Sequence, residues 1–184
     1  MKVAVTGGIG SGKSYVCSML RERGFKVYDC DSAAKRVMLE LGVVRERLIS
    51  LLGPDAYIAG GLNKPLLSRY ILSNDDNAKK VNAIVHPAVA DDFLASGMQI
   101  MECAILFSSG FDRLVDKVVC VSAPYDIRLA RVMRRDSISR EKAEAWISSQ
   151  MSQEEVESRS DYIIYNDGVC DISSQLDKAI KHLI

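Results

Sequence analysis

The chain has 184 residues, 48% hydrophobic and 26% charged, with 24 Lys plus Arg against 24 Asp plus Glu. That length suits one domain with a self-sufficient core. The composition excludes a disordered, collagenous or low-complexity chain, and the zero net charge gives no pull toward nucleic acid or an anionic membrane. No apolar run approaches the ~20 residues that span a bilayer. Met1-Lys2 leads straight into a short apolar stretch and then glycines, which is no signal-peptide layout. The five scattered cysteines include no C-x-x-C, so they fit neither a disulfide framework nor a zinc site. They read as small hydrophobes in a reducing compartment, and a cytoplasmic protein without nucleic-acid or membrane partners is expected.

Lys2 to Val5 reads as a buried strand, Lys13 to Arg23 as a helix with Gly24 at its C-terminal cap, and Phe25 to Tyr28 as a second strand. Strand, Gly-rich turn, helix, strand is a βαβ unit and implies a parallel sheet with helices on its faces. Residues 32–96 read as helical, with breaks at Gly53-Pro54-Asp55 and Ala59-Gly60-Gly61, too long for a simple crossover and therefore a helical insertion. Asn74 and Asp75-Asp76 are placed to cap a helix through Val81, Ile84 and Val85, and Pro87 is expected to bend or restart it at His86. Met98 to Phe107 and Lys117 to Ser122 are near-continuous apolar runs, as doubly covered parallel strands should be. Tyr125 to Arg135 and Arg140 to Met151 read as helices, Tyr162 to Tyr165 as a fifth strand, and a last helix runs to Leu183. The expected architecture is an α/β fold over one domain, 1–184, with a five-stranded parallel sheet and two helical excursions, 32–96 and about 124–151.

The strongest chemical signal is Gly7-Gly8-Ile9-Gly10-Ser11-Gly12-Lys13-Ser14, a full match to G-x-x-x-x-G-K-[ST] between a strand and a helix. The glycines let several N–H groups converge on one anion, and the helix N-terminus adds its dipole. Lys13 supplies a positive charge to the β- and γ-phosphates and Ser14 a hydroxyl suited to Mg²⁺. A nucleoside triphosphate is the expected ligand. A switch GTPase is excluded, because no aspartate is followed by glycine three positions on and the only Asn-Lys, Asn63-Lys64, continues Pro65-Leu66. A transporter ATPase would carry L-S-G-G-Q, which is absent.

Asp29 and Asp31 close the second strand at the carboxyl edge of the sheet, where open parallel sheets bind ligands. If the chain is still extended there, their i, i+2 spacing points both to one side. One would take the proton of an acceptor hydroxyl and the other would orient metal-bound water. The alternative for Asp31 is a helix N-cap before Ser32-Ala33-Ala34; the phosphate loop one helix earlier favours catalysis. Arg128, Arg131, Arg134, Arg135 and Arg140 crowd one segment. A lid that closes over ATP is one reading. For Arg128 and Arg131 a solvated helix face paired with Asp136, Glu141 and Glu144 is preferred.

These motifs, in order, resemble the dephospho-CoA kinase family over nearly the whole length. The loop Val5 to Ser14, Tyr28-Asp29-Cys30-Asp31 with Ala34-Lys35, His86-Pro87, Ile105-Leu106-Phe107, Arg131 to Asp136 with Ser139-Arg140-Glu141, Gln150, and Asp161 to Ile164 with Asn166 each look like that family's elements. The resemblance implies a P-loop kinase core, an acceptor subdomain at 32–96, a lid, and transfer of the ATP γ-phosphoryl group to the ribose 3′-hydroxyl of dephospho-CoA with Mg²⁺. Asp31 would be the general base. Gly8, Gly10, Ser11, Gly12, Lys13, Ser14, Tyr15 and the lid arginines Arg134, Arg135 and Arg140 would hold ATP, with Lys13 and Arg140 meeting the developing charge. Asn166 to Gly168 would border the adenine, Lys35 and His86 would lie on the acceptor side with Asp31, and Ser14 and Asp29 would face the metal. Four positions depart from the family pattern: Ala104 for proline, Ser108 for glutamate, Lys35 for arginine and Tyr15 for threonine. The missing carboxylate at Ser108 bears on acceptor or metal placement. Another small-molecule kinase on the same core, and an ATP-binding regulator with no acceptor, are the competing readings.

Overall fold

The computed structural model describes residues 1–59 and 61–183. It divides into two compact units: Met1–Asp29 together with the chain from Met98 onward, and Cys30–Gly97.

The first unit is a five-stranded parallel sheet covered by helices. The strands are β1 (Val3–Thr6), β2 (Val27–Asp29), β5 (Ile100–Glu102), β6 (Lys117–Ser122) and β7 (Tyr162–Tyr165), in the spatial order β2-β5-β1-β6-β7. Strand order reverses on either side of β1, so the crevice beyond its carboxyl end is a topological switch point. β1 is buried along its whole length, which explains its unbroken Val-Ala-Val-Thr sequence. Val3, Val5, Val119 and Val121 turn one face of the sheet toward Val16 and Leu20 of α1 (Lys13–Glu22) and Leu176 and Ala179 of α10 (Ile172–Leu183). Gly24, at φ +87°, follows the end of α1. Beyond β6, α7 (Tyr125–Asp136) and α8 (Arg140–Ser148) pack through Leu129, Val132, Ala143 and Ile147, and Ile9 of the glycine loop joins that cluster.

The second unit holds α2 (Cys30–Glu40), α3 (Gly42–Leu52), a short antiparallel hairpin of β3 (Tyr57–Ile58) and β4 (Gly61–Leu62), α4 (Lys64–Ser73) and α5 (Asp75–Ser96). Asn63 and Asn74 cap α4 and α5 by accepting from the backbone N–H groups of Leu66 and Asn77. Arg36 of α2 donates to Asp92 of α5. The Tyr57 hydroxyl donates to the Met38 carbonyl and ties the hairpin to α2.

Several boundaries differ from expectation. A hairpin lies between and across the two breaks read in the helical stretch, unread as such because strands of two residues leave no periodic pattern. α5 continues through Pro87 as one helix, Asp75–Ser96, instead of restarting at His86. Val81, Val85, Val89 and Phe93 form one buried stripe across the proline. Burial of that stripe outweighs the ~3 kcal/mol typical of an internal proline. The apolar run Met98–Phe107 is strand only from Ile100 to Glu102. Cys103 still donates to the Val5 carbonyl (3.0 Å), and then the chain turns into the short helix α6 (Leu106–Ser109). The second strand covers Val27–Asp29 rather than Phe25–Tyr28. The run read as helical to Met151 stops at Ser148, and a further short helix, α9 (Gln153–Ser158), follows. All five cysteines are free thiols, four buried and Cys170 exposed. Among the described residues no helix is long and apolar enough to cross a membrane.

Candidate active site

After Thr6 the chain leaves β1, loops through Gly7–Gly12 and enters α1 at Lys13. Gly7, Gly10 and Gly12 all have positive φ. At Gly10 (φ +81°) a Cβ would lie 2.6 Å from the Arg128 carbonyl oxygen, so both the backbone angle and the space exclude a side chain. The loop closes on itself through Ser11 N–H donating to the Gly8 carbonyl (3.1 Å). Ser11 is fully buried, and its hydroxyl finds no hydrogen-bond partner among the described residues. At its tip, Ile9 N–H donates to Gln150 Oε1 (2.7 Å) and the Ile9 carbonyl accepts from Arg128 Nε (3.1 Å). The carbonyls of Gly10 and Ser11 accept from Arg131 Nη1 (3.3 Å each), and that of Ser11 also from Asn166 Nδ2 (2.8 Å). The oxygen side of the loop is therefore bound by side chains.

Glu102 ends β5 beside β1 and is 6% exposed. It accepts from Lys13 Nζ (2.8 Å) and Ser14 Oγ (2.8 Å), and its other oxygen from Arg21 Nη2 (3.3 Å). Burial alone would raise its pKa. The bonds and charge of Lys13 and the bond from Ser14 outweigh that and hold it below the ordinary glutamate value. The neighbouring Cys17 thiol is pushed up by burial and by the Glu102 charge. A depressed carboxylate binds its proton more weakly folded than unfolded, so it contributes stability above about pH 4.5 that is lost as pH falls through the folded pKa. The stability difference between wild type and Glu102→Gln should shrink as pH drops below that value, measured by chemical denaturation from pH 7 to 3.5; a pH-independent difference would contradict the ionised pairing.

Asp29 sits at the end of β2 in register with Glu102. Asp31 does not share its extended strand. α2 begins at Cys30, so Asp31 is exposed in the first turn of that helix, where the dipole favours a carboxylate, and neither an extended i, i+2 pair nor an N-cap describes it. Lys35 lies one turn further along the same helix face and is exposed. His86 is half-buried within α5, and burial lowers its pKa, favouring the neutral ring at neutral pH.

The sequence profile of the family described as dephospho-CoA kinase (CoaE) matches residues 1–171. The chain belongs to the dephospho-CoA kinase family. A relative from Bacteroides fragilis named dephospho-CoA kinase is 39% identical over 190 residues, spanning 100% of this chain and 93% of that one. A crystal structure of TT1252 from Thermus thermophilus superposes with a TM-score of 0.83 at 31% identity, covering 99% and 95% of the two chains. The dephospho-CoA kinase from Campylobacter jejuni gives 0.70 at 25% identity, covering 99% and 97%.

As a dephospho-CoA kinase family member the chain takes a nucleotide substrate. Around the Gly7–Ser14 loop the arginines sort differently from expectation. Arg128 and Arg131 are not a solvated face paired with Asp136, Glu141 and Glu144. Arg128 is 5% exposed, and both reach back to the loop because α7 turns its apolar stripe, with these two residues beside it, onto the core. Arg134, Arg135 and Arg140 lie on the exposed side. There Arg135 pairs with Asp136 (2.7 Å) and Arg140 with Glu144 (2.8 Å). Tyr15 is 58% exposed at the start of α1. Ser108, where the family pattern has glutamate, is exposed in α6 and donates to its own turn at the Ile105 carbonyl (3.2 Å). It lines a cavity of about 100 Å³ together with Thr6, Gly8, Leu106 and Gln150.

Glu102 and Gln153 were not singled out from sequence, and Arg128 and Arg131 were weighed there as lid residues but read as a solvated face. Gln153 bridges the site by accepting from Arg128 Nη1 (2.9 Å) and donating to Ser122 Oγ (2.6 Å). Glu102 alone carried a readable signal: a single acid inside an apolar strand has to meet a cation. Asn166, expected from the resemblance to border the adenine, donates its side-chain Nδ2 to the Ser11 carbonyl of the glycine loop (2.8 Å).

Proposed function

We propose that this chain transfers the γ-phosphoryl group of ATP to the ribose 3′-hydroxyl of dephospho-CoA, the last step of coenzyme A biosynthesis. The observation that carries the reading is a glycine loop at the switch point of the sheet, bound on its carbonyl side and bearing Lys13 and Ser14, in a member of this kinase family. The loop N–H groups not already bonded within the chain, those of Gly10 and Gly12 among them, the N-terminus of α1 and Lys13 would receive the triphosphate. Lys13 would exchange Glu102 for the β- and γ-phosphates as it does so. Asp31 would accept the 3′-hydroxyl proton. The O3′–P bond forms as the bond between phosphorus and the β,γ-bridging oxygen breaks, and ADP leaves. The transition state is loose, so charge neutralisation and alignment contribute more than the base.

Ser14 Oγ and the Glu102 and Asp29 carboxylates on adjacent strand ends are hard oxygen donors, as few as Mg²⁺ uses when phosphates and water complete its shell. Among the described residues there is no cluster of three or more His, Cys, Asp or Glu that could hold a metal ion without a ligand. Mg²⁺ carried by ATP fits this set, and when bound it would neutralise phosphate charge. Residues 30–97, with Asp31, Lys35 and His86, would receive dephospho-CoA. Arg134, Arg135 and Arg140 of the 124–151 lid would swing from the surface onto the phosphates, and Tyr15 and Asn166 to Gly168 would flank the nucleotide. A cytoplasmic location goes with free thiols.

ADP release measured with ATP and Mg²⁺ against dephospho-CoA, adenosine and AMP tests the reading. Turnover is expected with dephospho-CoA and far less with the other two; equal or faster turnover with adenosine or AMP would replace it with a nucleoside or nucleotide kinase.

A further inference from the structure

We propose that Arg131 and Asn166 are positioning residues of the phosphate loop, holding its carbonyl side so that their loss weakens binding of a triphosphate whether or not a base is attached. This deepens the reading above and rests on the loop being the triphosphate site.

Arg131 Nη1 donates to the carbonyls of Gly10 and Ser11, and Arg131 Nη2 donates to the backbone oxygen (3.2 Å) and Oδ1 (3.0 Å) of Asn166. Asn166 Nδ2 donates to the Ser11 carbonyl (2.8 Å). The amide orientation is determined by its partners, because a flip would set NH₂ against a guanidinium and oxygen against a carbonyl. Asn166 is itself anchored, 7% exposed, with its backbone N–H on the Ser122 carbonyl (2.7 Å) at the end of β6. It backs directly onto the loop: a Cβ at Gly12 would stand 2.0 Å from Asn166 Nδ2.

Peptide planarity turns this into a statement about donors. In a trans peptide the carbonyl of one residue and the N–H of the next point in opposite directions. Binding the Ser11 carbonyl therefore aims the Gly12 N–H away from Asn166, and Arg128 on the Ile9 carbonyl does the same for the Gly10 N–H. An anion site made of backbone dipoles gains most when they are held before the ligand arrives. The planar guanidinium spans two loop carbonyls and Asn166 at once, which a lysine ammonium on its flexible stem cannot reproduce.

The alternative is that Arg131 and Asn166 serve the adenine. Competition between ATP and inorganic tripolyphosphate, which has no base, separates the two. Arg131→Lys, Asn166→Ala and Asn166→Asp are compared with wild type for the ATP KM, the tripolyphosphate Ki and the preference for ATP over GTP. Asn166→Asp keeps an oxygen for Arg131 but sets another against the Ser11 carbonyl. KM and Ki do not depend on how much of a sample is folded, so simple destabilisation moves neither. The expected result is a parallel rise of KM and Ki, on the order of 10-fold or more for a lost charge-assisted bond, with the ATP/GTP preference unchanged. A raised ATP KM with an unchanged tripolyphosphate Ki, or no rise in either, would overturn the proposal and leave the loop as the triphosphate site. Failure of tripolyphosphate to compete with ATP on the wild-type protein would overturn that underlying reading as well.

Discussion

Lys13→Ala is expected to lower kcat/KM for ATP by on the order of 10³-fold, the range set by removal of one preorganised charge partner of a transferring group. The ammonium lies on Glu102 at 2.8 Å, with its side chain 12% exposed. It is therefore already desolvated and has one short movement to make, from a carboxylate to a phosphate. Alanine removes the charge and also leaves the buried Glu102 with Ser14 and Arg21 as its remaining partners, so some loss of stability accompanies the loss of activity. Steady-state kinetics beside a thermal melt separates the two effects. A folded variant turning over near the wild-type rate would remove the loop from the reaction.

Asp31→Asn is expected to cut kcat by roughly 10²- to 10⁴-fold, the usual contribution of a general base, while the ATP KM stays near its wild-type value. Asparagine retains the size of the side chain and its place in the first turn of α2, so the loss isolates proton acceptance. The opposite pattern, weakened ATP with kcat retained, would make Asp31 a ligand of the nucleotide's metal or a helix-start residue.

Much of the fold was legible because its signals are local. Residues 117–122 and 162–165 are strands as read, α1 begins at Lys13, and Asn74 caps α5, since β-branched runs, glycine punctuation and cap chemistry act over a few residues. The readings that failed needed a competition between distant groups. Pro87 was expected to bend or restart a helix that the buried Val81–Phe93 stripe carries through. Leu106 belongs to an apolar run that strand and helix fill equally well.

The candidate site divides along the same line. The Gly7–Ser14 motif by itself pointed to a phosphate ligand at the start of α1, because that spacing of glycines, lysine and serine lets a backbone wrap round an anion at a helix start. Tertiary structure alone decided what stands behind the loop. Glu102 is 89 residues from Lys13, and Asn166 is 155 residues from Ser11. Which of five neighbouring arginines turned inward followed from the packing of α7 against the core. A side chain's spacing along a helix says which residues share its face, but the surface that face meets is set by strands arriving from elsewhere in the chain.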